Sequence, residues 1–537
     1  MTKTCEKSCE KCNTISNCGK RCNKKQNEAD LPLLRVTENV IRNDNPFNIF
    51  ATTFRGLSPP DPILAVGPDR IVTAVNRMVK IMNKETMEVL FFNKSSIFFT
   101  NSPLNQNVSL GGNGGNDPWI VYDQFSKRFW IVTFSTTGGA APSQWWFSVS
   151  KDSSPNTRDD WYHYYFVTNV IDDFPKIAVD KEAVYMVSIM GTFGAFFTKT
   201  YIFDKKPLVK GQLPQFPTAI NPDQIVTRLE TDFPFPIQPR LSHGKNHKKN
   251  IDKVLFVSPI NTTPSFGVTG NIMRISYIKN PLTNPEVISV DVEVSPYFIP
   301  GGVLRQIPQP LPPFNNSNVV VRNIDSTPPG TIAGDLFGGK LVTAQVVDSG
   351  RLDSNGFPIK VTRWYEFDVK RIFQGKVKLI QNGNVDPGNN DNIWNANIAI
   401  DKDGNIGIAF SLAGMDKFVQ IAYTGRLFND PKGTVRLPIT VVIASDLSYQ
   451  LPGSPIPFIR WGDYSGLVVD PCDNKTFWLC NMYPVPSPIN NPARQPPPAT
   501  PDFPFNSNWA TAIAAFRIDK GCSDTPTYPQ QNNLVLS

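Results

Sequence analysis

Residues 118–132 read PWIVYDQFSKRFWIV, and this stretch decides how the whole chain is read. Two apolar runs rich in β-branched and aromatic residues flank a short polar segment that begins at Asp123. Such runs, bounded by Pro, Asp and Gly, are strands, and two of them a few residues apart form a hairpin. The pattern recurs along the chain. Pro62–Gly67 precedes Arg70–Val75, Pro175–Asp180 precedes Ala183–Val187, Asn397–Asp401 precedes Asn405–Phe410, and Gly466–Asp470 precedes Thr476–Leu479. The long interval between Asp180 and Asp401 holds two weaker copies, around Lys253–Val257 and Lys340–Ala344. A small antiparallel sheet built on one hairpin cannot bury both of its faces. Packed radially around an axis, such sheets cover one another and leave only short protected edges. The expected fold is therefore all-β, a seven-bladed β-propeller, with six to eight blades compatible with the spacing.

Composition agrees. The 537 residues are 40% hydrophobic and 11% aromatic, enough for a large core. Helical periodicity is absent over any long window. No apolar run approaches the ~18 residues of a membrane helix, so no membrane span is expected. The N-terminus, MTKTCEKSCEKC, lacks the apolar segment of a secretory signal, which points to cytoplasmic synthesis. Expected boundaries are a Cys-rich basic tail over 1–28, a polar linker over 29–45, the propeller over 46–520 and a C-terminal tail over 521–537. Within the propeller, residues 484–506 hold nine prolines. Proline removes a backbone donor, so this segment reads as a projecting extended loop and not a ladder strand.

The tail carries much of the chain's net charge of +7: Lys3, Lys7, Lys11, Lys20, Arg21, Lys24 and Lys25 stand against three glutamates. It contains no aromatic residue, which argues against nucleic acid, since single-strand binders interleave basic and stacking side chains. Its cysteines, Cys5, Cys9, Cys12, Cys18 and Cys22, are odd in number and have no histidine beside them. Disulfide cross-linking or docking, a zinc site, and an unstructured thiol-rich arm all remain open. Cys472 and Cys480 flank a hairpin, and either could bridge to Cys522 to pin the last strand, with buried thiols as the alternative.

Several stretches together carry a resemblance: PPDPILAVGPDRIVTAVN (59–76), GGNDPWIVYDQFSKRFWIVTF (114–134), DDFPKIAVDKEAVYMV (172–187), RWYEFD (363–368), IWNANIAIDKDGNIGIAFS (393–411), YTGRL (423–427) and RWGDYSGLVVDPCDNKTFW (460–478). In this order they resemble a family of large, mostly uncharacterised seven-bladed propeller proteins of bacterial secreted type. That resemblance implies the fold and no particular chemistry. The Asn-, Lys-, Ile- and Phe-rich composition and the cysteine tail are similar to virion and fibril proteins of giant viruses, whose short cysteine-rich N-terminal segments act as addresses.

Candidate chemistry gathers at one place. Asp61, Asp117, Asp173 and Asp463 each lie six or seven residues before a turn anchor, so innermost strands would bring them to one mouth of the channel. Such a ring could hold calcium or perform acid–base work on a sugar, with Arg240 and Arg460 as anion partners. The plainer reading is that each Asp caps a bend by accepting backbone N–H groups. The D-x-D-G-N run at Asp401–Asn405 lacks the glutamate of a calcium loop and reads as a hairpin turn. His243 and His247 sit in a polar stretch read as a solvated loop, and three histidines in all, without a G-x-S-x-G elbow, argue against a serine hydrolase. Ser150–Trp161 faintly resembles the aspartate-box turn of sialidases, a structural feature.

These observations give a non-enzymatic structural or interaction protein, a propeller tethered through its tail and joined to protein partners or to copies of itself in a larger particle such as a virion. The alternative is a carbohydrate-active hydrolase or lyase, or a glycan-binding lectin, working through the mouth carboxylates.

Overall fold

Each hairpin of the repeat extends, in the computed structural model, into a four-stranded antiparallel sheet, and seven such sheets follow one another among the described residues. The structure describes residues 35–37, 59–99, 114–310, 323–325, 333–449, 458–486 and 507–518, except for 138–139, 169–170, 193–194, 213–226, 232–237, 241–242, 244–250, 263–266 and 389. The first strands of blades I to VII are Ile63–Val66, Asn116–Asp123, Ile171–Val179, Gln238–Arg240, Ala333–Phe337, Asn392–Ile400 and Gly466–Val469. Each first strand contacts the next, and the first strand of blade VII contacts that of blade I, so the ring is closed. The two weak sequence copies lie in blades IV and V, where they overlap the second strands Leu255–Thr262 and Lys340–Leu352. Among the described residues helices are confined to single turns, and none is long and apolar enough to cross a membrane.

Blade VII is assembled from both ends of the chain. Phe477–Pro486 and Ser507–Phe516 follow its first strand, and its fourth strand is Arg35–Thr37, antiparallel to Ser507–Phe516. The segment expected to be only a linker therefore supplies the closing strand. The proline-rich stretch also begins later than expected. Pro484 and Pro486 lie in the ladder opposite Trp509 and Ser507. Both come after Cys480, the last residue paired to blade VII's first strand. Only one edge needs donors there, which is where proline is tolerated.

Blade faces bury against their neighbours. Leu64, Val66, Ile71 and Met82 of blade I pack on Trp478, Cys480, Ile513 and Ala515 of blade VII. At this junction Gly466 lies against Leu64, and a Cβ there would come within 2.3 Å of Leu64 Cδ2 and 3.0 Å of Leu64 N.

The channel face that carries the turns between first and second strands is laced with polar contacts between blades. Lys84 of blade I meets Asp470 of blade VII at 3.0 Å, both nearly inaccessible to solvent. Lys205 of blade III meets Asp123 of blade II, Lys253 of blade IV meets Glu182 of blade III, and Lys475 of blade VII meets Asp403 of blade VI at 3.0 Å. Between blades I and II, Ser154 donates to Asp69 at 2.9 Å.

At the opposite face a small extra sheet forms from the connections between blades. Gln306–Ile307 pairs antiparallel with Asn323–Asp325, which pairs parallel with Phe458–Arg460. Ile307, Ile324, Ile459 and Trp461 from this sheet and its edge share a buried cluster with Val75, Trp394 and Trp509 from blades I, VI and VII. This cap ends on Arg460, the residue that leads into the carboxylate mouth.

Candidate functional site at the channel mouth

The repeat places its acids by a backbone device. Asp61 and Asp117 have φ of +50° and +47°, and Phe174 and Asn395 occupy the equivalent positions at +55° and +52°. Left-handed backbone is most accessible to Asp and Asn among residues with a side chain, and a following proline further disfavours the right-handed helical region. Proline follows Asp61, Asp117 and Phe174. Strand pairing slips at these points, between Asn116 and Trp119, Asp173 and Lys176, and Trp394 and Asn397. Such bulges re-aim side chains at the rim of a closed sheet.

The four predicted carboxylates do gather. Asp61 is fully buried; its Oδ1 accepts the Asp463 backbone N–H at 2.5 Å and its Oδ2 accepts Asn76 Nδ2 at 2.8 Å. Asn76 Oδ1 in turn accepts the Asp117 N–H at 2.6 Å. Arg460 Nη2 binds both oxygens of Asp463, at 2.6 and 2.8 Å. Asp117 is half-buried, and its neighbour Asp173 is exposed. Next to this pair Lys176 is enclosed by the rings of Trp119, Phe174 and Tyr464, with Nζ 3.7, 3.7 and 3.9 Å from their centroids. Tyr464 donates its hydroxyl to Pro118 O at 2.8 Å, tying blade VII's entry to blade II.

Proximity and burial shift the acids. Burial, and then the charge of Asp463, push Asp61 up to about 7. Burial, and then Asp173, Asp61 and Asp463, push Asp117 well above the usual carboxylate range. Burial works against the Arg460 guanidinium, yet Asp463 foremost, then Asp61 and Asp117, hold its proton more firmly than usual. Burial, reinforced by the same carboxylates, raises the Tyr464 phenol. The capping reading thus fits Asp61, and Asp463 is engaged by Arg460. Asp117, Asp173 and Arg460 remain the groups that face solvent. Among the described residues no group of three or more His, Cys, Asp or Glu is arranged to hold a metal.

Among the first strands lies a cavity of about 120 Å³, walled by Ile63, Ala65, Trp119, Ile177 and Leu467 among others. His243 and Asp335 also line it, which corrects the reading of His243 as solvated. Its Nε2 lies 3.0 Å from Asp335 Oδ2 and 2.8 Å from Ile400 O, joining blades V and VI. Burial alone would lower this imidazole, but Asp335 outweighs it and the net shift is upward. His163 is a core residue, with Nδ1 2.7 Å from Ser148 Oγ, and burial pushes it down to about 4.

Other predicted sites disperse. Arg240 ends blade IV's first strand, at the turn face and away from the carboxylates. Asp401 and Asn405 close a hairpin turn, Asp401 Oδ1 accepting the N–H groups of Asp403 and Asn405. Ser150–Trp161 forms a capped turn in which Asp160 accepts from Asn156 and Thr157. Cys480 is a buried thiol against Thr73 of blade I at 3.8 Å, and Cys472 donates to Pro68 O at 3.5 Å. Cys5, Cys9, Cys12, Cys18, Cys22, Cys522 and His247 lie outside the described residues. Sequence reasoning missed Asn76, Lys176 and Tyr464. Asn76 ends the AVN run of the first hairpin and Tyr464 follows Asp463, so both were visible as polar residues at strand rims. The aromatic enclosure of Lys176 draws on three distant segments and left no local signal.

No protein-family model matches the chain, and no curated protein matches it in sequence. Similar solved structures include Kluyveromyces lactis Hsv2 (9% identity, 80% of this chain and 94% of that one, TM-score 0.34). The WD40 domain of SCAP from fission yeast is another (11% identity, 85% and 95%, TM-score 0.33), as is Trypanosoma rangeli sialidase (9% identity, 73% and 59%, TM-score 0.33).

Proposed function

We propose that the protein is a non-enzymatic interaction scaffold, a rigid propeller attached through its Cys-rich N-terminal segment to protein partners or further copies of itself in a larger assembly, such as a virion surface layer. The observation that carries this reading is how fully the mouth is used by its own structure. Asp61 holds blade VII's entry, Asp463 is taken by Arg460, and Lys176 is boxed by aromatic rings. The closing strand Arg35–Thr37 follows the tail in sequence and lies at the edge of blade VII. Removal of residues 1–28 spares that strand. The truncated chain is expected to melt at the same temperature as the full chain while losing disulfide-linked multimers on non-reducing gels and its retention in purified particles. Unchanged multimers and retention would reject the tether.

One observation favours a second reading, glycan binding or cleavage. Asp117, whose carboxyl burial holds well above the usual range, neighbours Asp173, with Asp173 and Arg460 open to solvent, an arrangement in which a carboxylic acid could give up a proton to a bound ligand. A glycan array probed with the full chain, followed by product analysis of any bound glycan, separates the two. Turnover lost in both Asp117→Asn and Asp173→Asn, with melting unchanged, would replace the scaffold reading with an enzyme.

A further inference from the structure

The hairpin between the third and fourth strands of blade V projects from the turn face. Its third strand, Pro358–Arg371, runs past Asp368, which pairs with the start of the second strand at Lys340, and its fourth strand, Lys376–Val385, begins opposite Arg371. Arg371 and Lys376 are direct partners across this hairpin, and Lys378 follows on the same face of the fourth strand. Like charges placed opposite one another destabilise a sheet. Asp368 is the carboxylate of this tip, and Lys370 binds it at 3.1 Å. Phe373 crowns the turn. Its ring meets Tyr277 of blade IV edge-on, with centroids 4.9 Å apart, and is still 49% exposed. The corresponding connection of blade VI lies alongside, where Gly433 donates its N–H to Gln381 of blade V's fourth strand at 3.0 Å. It carries Phe428, 58% exposed, beside the turn at Gly404. The acids there are engaged: Asp430 accepts the Leu427 N–H at 2.8 Å, and Asp403 binds Lys475. Among the described residues Arg371, Lys376, Lys378, Lys432 and Arg436 are exposed and none is in an ion pair, and Phe373 and Phe428 are the two exposed phenylalanines.

We propose that the turn face of blades V and VI docks on an anionic membrane surface: the five cations meet lipid headgroup charges, and Phe373 and Phe428 enter the headgroup layer. Charge complementarity selects the partner's sign, and the rings select its kind. A phenylalanine ring has no hydrogen-bonding group, so it gains by leaving water for an apolar layer. Both rings stand on turns at the face, with basic side chains around them, the arrangement by which a peripheral protein seats apolar groups at the headgroup boundary. An anionic leaflet presents its charge to both connections at once and relieves the repulsion between Arg371 and Lys376. Such docking needs no spanning segment and is independent of the tether through the N-terminal tail.

Flotation of the full chain with vesicles tests this, comparing phosphatidylcholine alone with equal parts phosphatidylcholine and phosphatidylserine. The wild type is expected to float with the anionic vesicles only. Arg371→Gln, Lys376→Gln and Lys378→Gln combined should weaken that binding about a hundredfold, at roughly fivefold for each charge. Phe373→Ser should weaken it about tenfold, because an apolar side chain no longer leaves water. All four positions are exposed, so melting temperatures should match the wild type. As a check that needs no variant, hydrogen exchange of the wild type should slow at 369–378 and 427–436 when anionic vesicles are added. Binding that persists in both variants would belong to the basic tail and overturn the proposal. So would equal flotation with both vesicle types, or exchange unchanged at these two turns. Phe373→Ser binding as tightly as the wild type, with heparin competing fully, would point to a soluble acidic polymer and reject the membrane.

Discussion

Gly466→Val should destabilise the propeller by about 3 kcal/mol or more, at the upper end of what overpacking costs. The reason is a close approach that only a residue without Cβ permits. Blade VII's first strand lies directly against that of blade I, and a Cβ at 466 meets both the Leu64 side chain and the Leu64 backbone nitrogen. The side-chain atom can turn away, but the backbone nitrogen cannot move without shifting the first strand of blade I, whose residues Ile63, Leu64, Ala65 and Val66 are all buried. Thermal and urea melts of the purified variant check this. Adding Leu64→Ala should recover only part of the loss, because it relieves the Cδ2 contact alone and leaves its own cavity.

Lys84→Met is expected to cost about 3 kcal/mol, as removal of one partner from a buried ion pair leaves the other uncompensated. Lys84 Nζ donates to Gly67 O at 2.9 Å as well as to both oxygens of Asp470. With the ammonium gone, Asp470 keeps Trp478 Nε1 at 3.0 Å and the Cys472 N–H at 2.9 Å, which hold the cost below that of a bare buried charge. The loss should appear as a lowered urea midpoint with an unchanged slope, since closure and not compactness of the unfolded chain is affected.

How far these features were legible in the sequence depends on whether they are local. The strands were legible because period and composition act within a few residues: PWIVYD and RFWIV announce themselves, and the blade number follows from their recurrence. The mouth carboxylates were legible as a set because one short motif, Asp before Pro before an apolar run, repeats in blades I and II. The clasp Arg35–Thr37 was not, for three residues carry too little pattern, and their partner lies at the other end of the chain. His243 was misread for the same reason. Its neighbours are polar, while the groups that enclose it, Asp335, Phe337 and Ile400, come from blades V and VI. Blades IV and V were dimmer than the rest because their first strands are short or Gly-interrupted, so the pattern showed only in the second strands.

A double-mutant cycle across the ring closure, pairing Lys84→Met with Asp470→Asn, tests the central claim most directly. These residues are separated by 386 positions and can interact only if the two ends of the repeat meet. Closure predicts a coupling energy of about 2 kcal/mol, well beyond the additivity expected of distant sites. Additivity of the two substitutions within about 0.3 kcal/mol would contradict a closed ring.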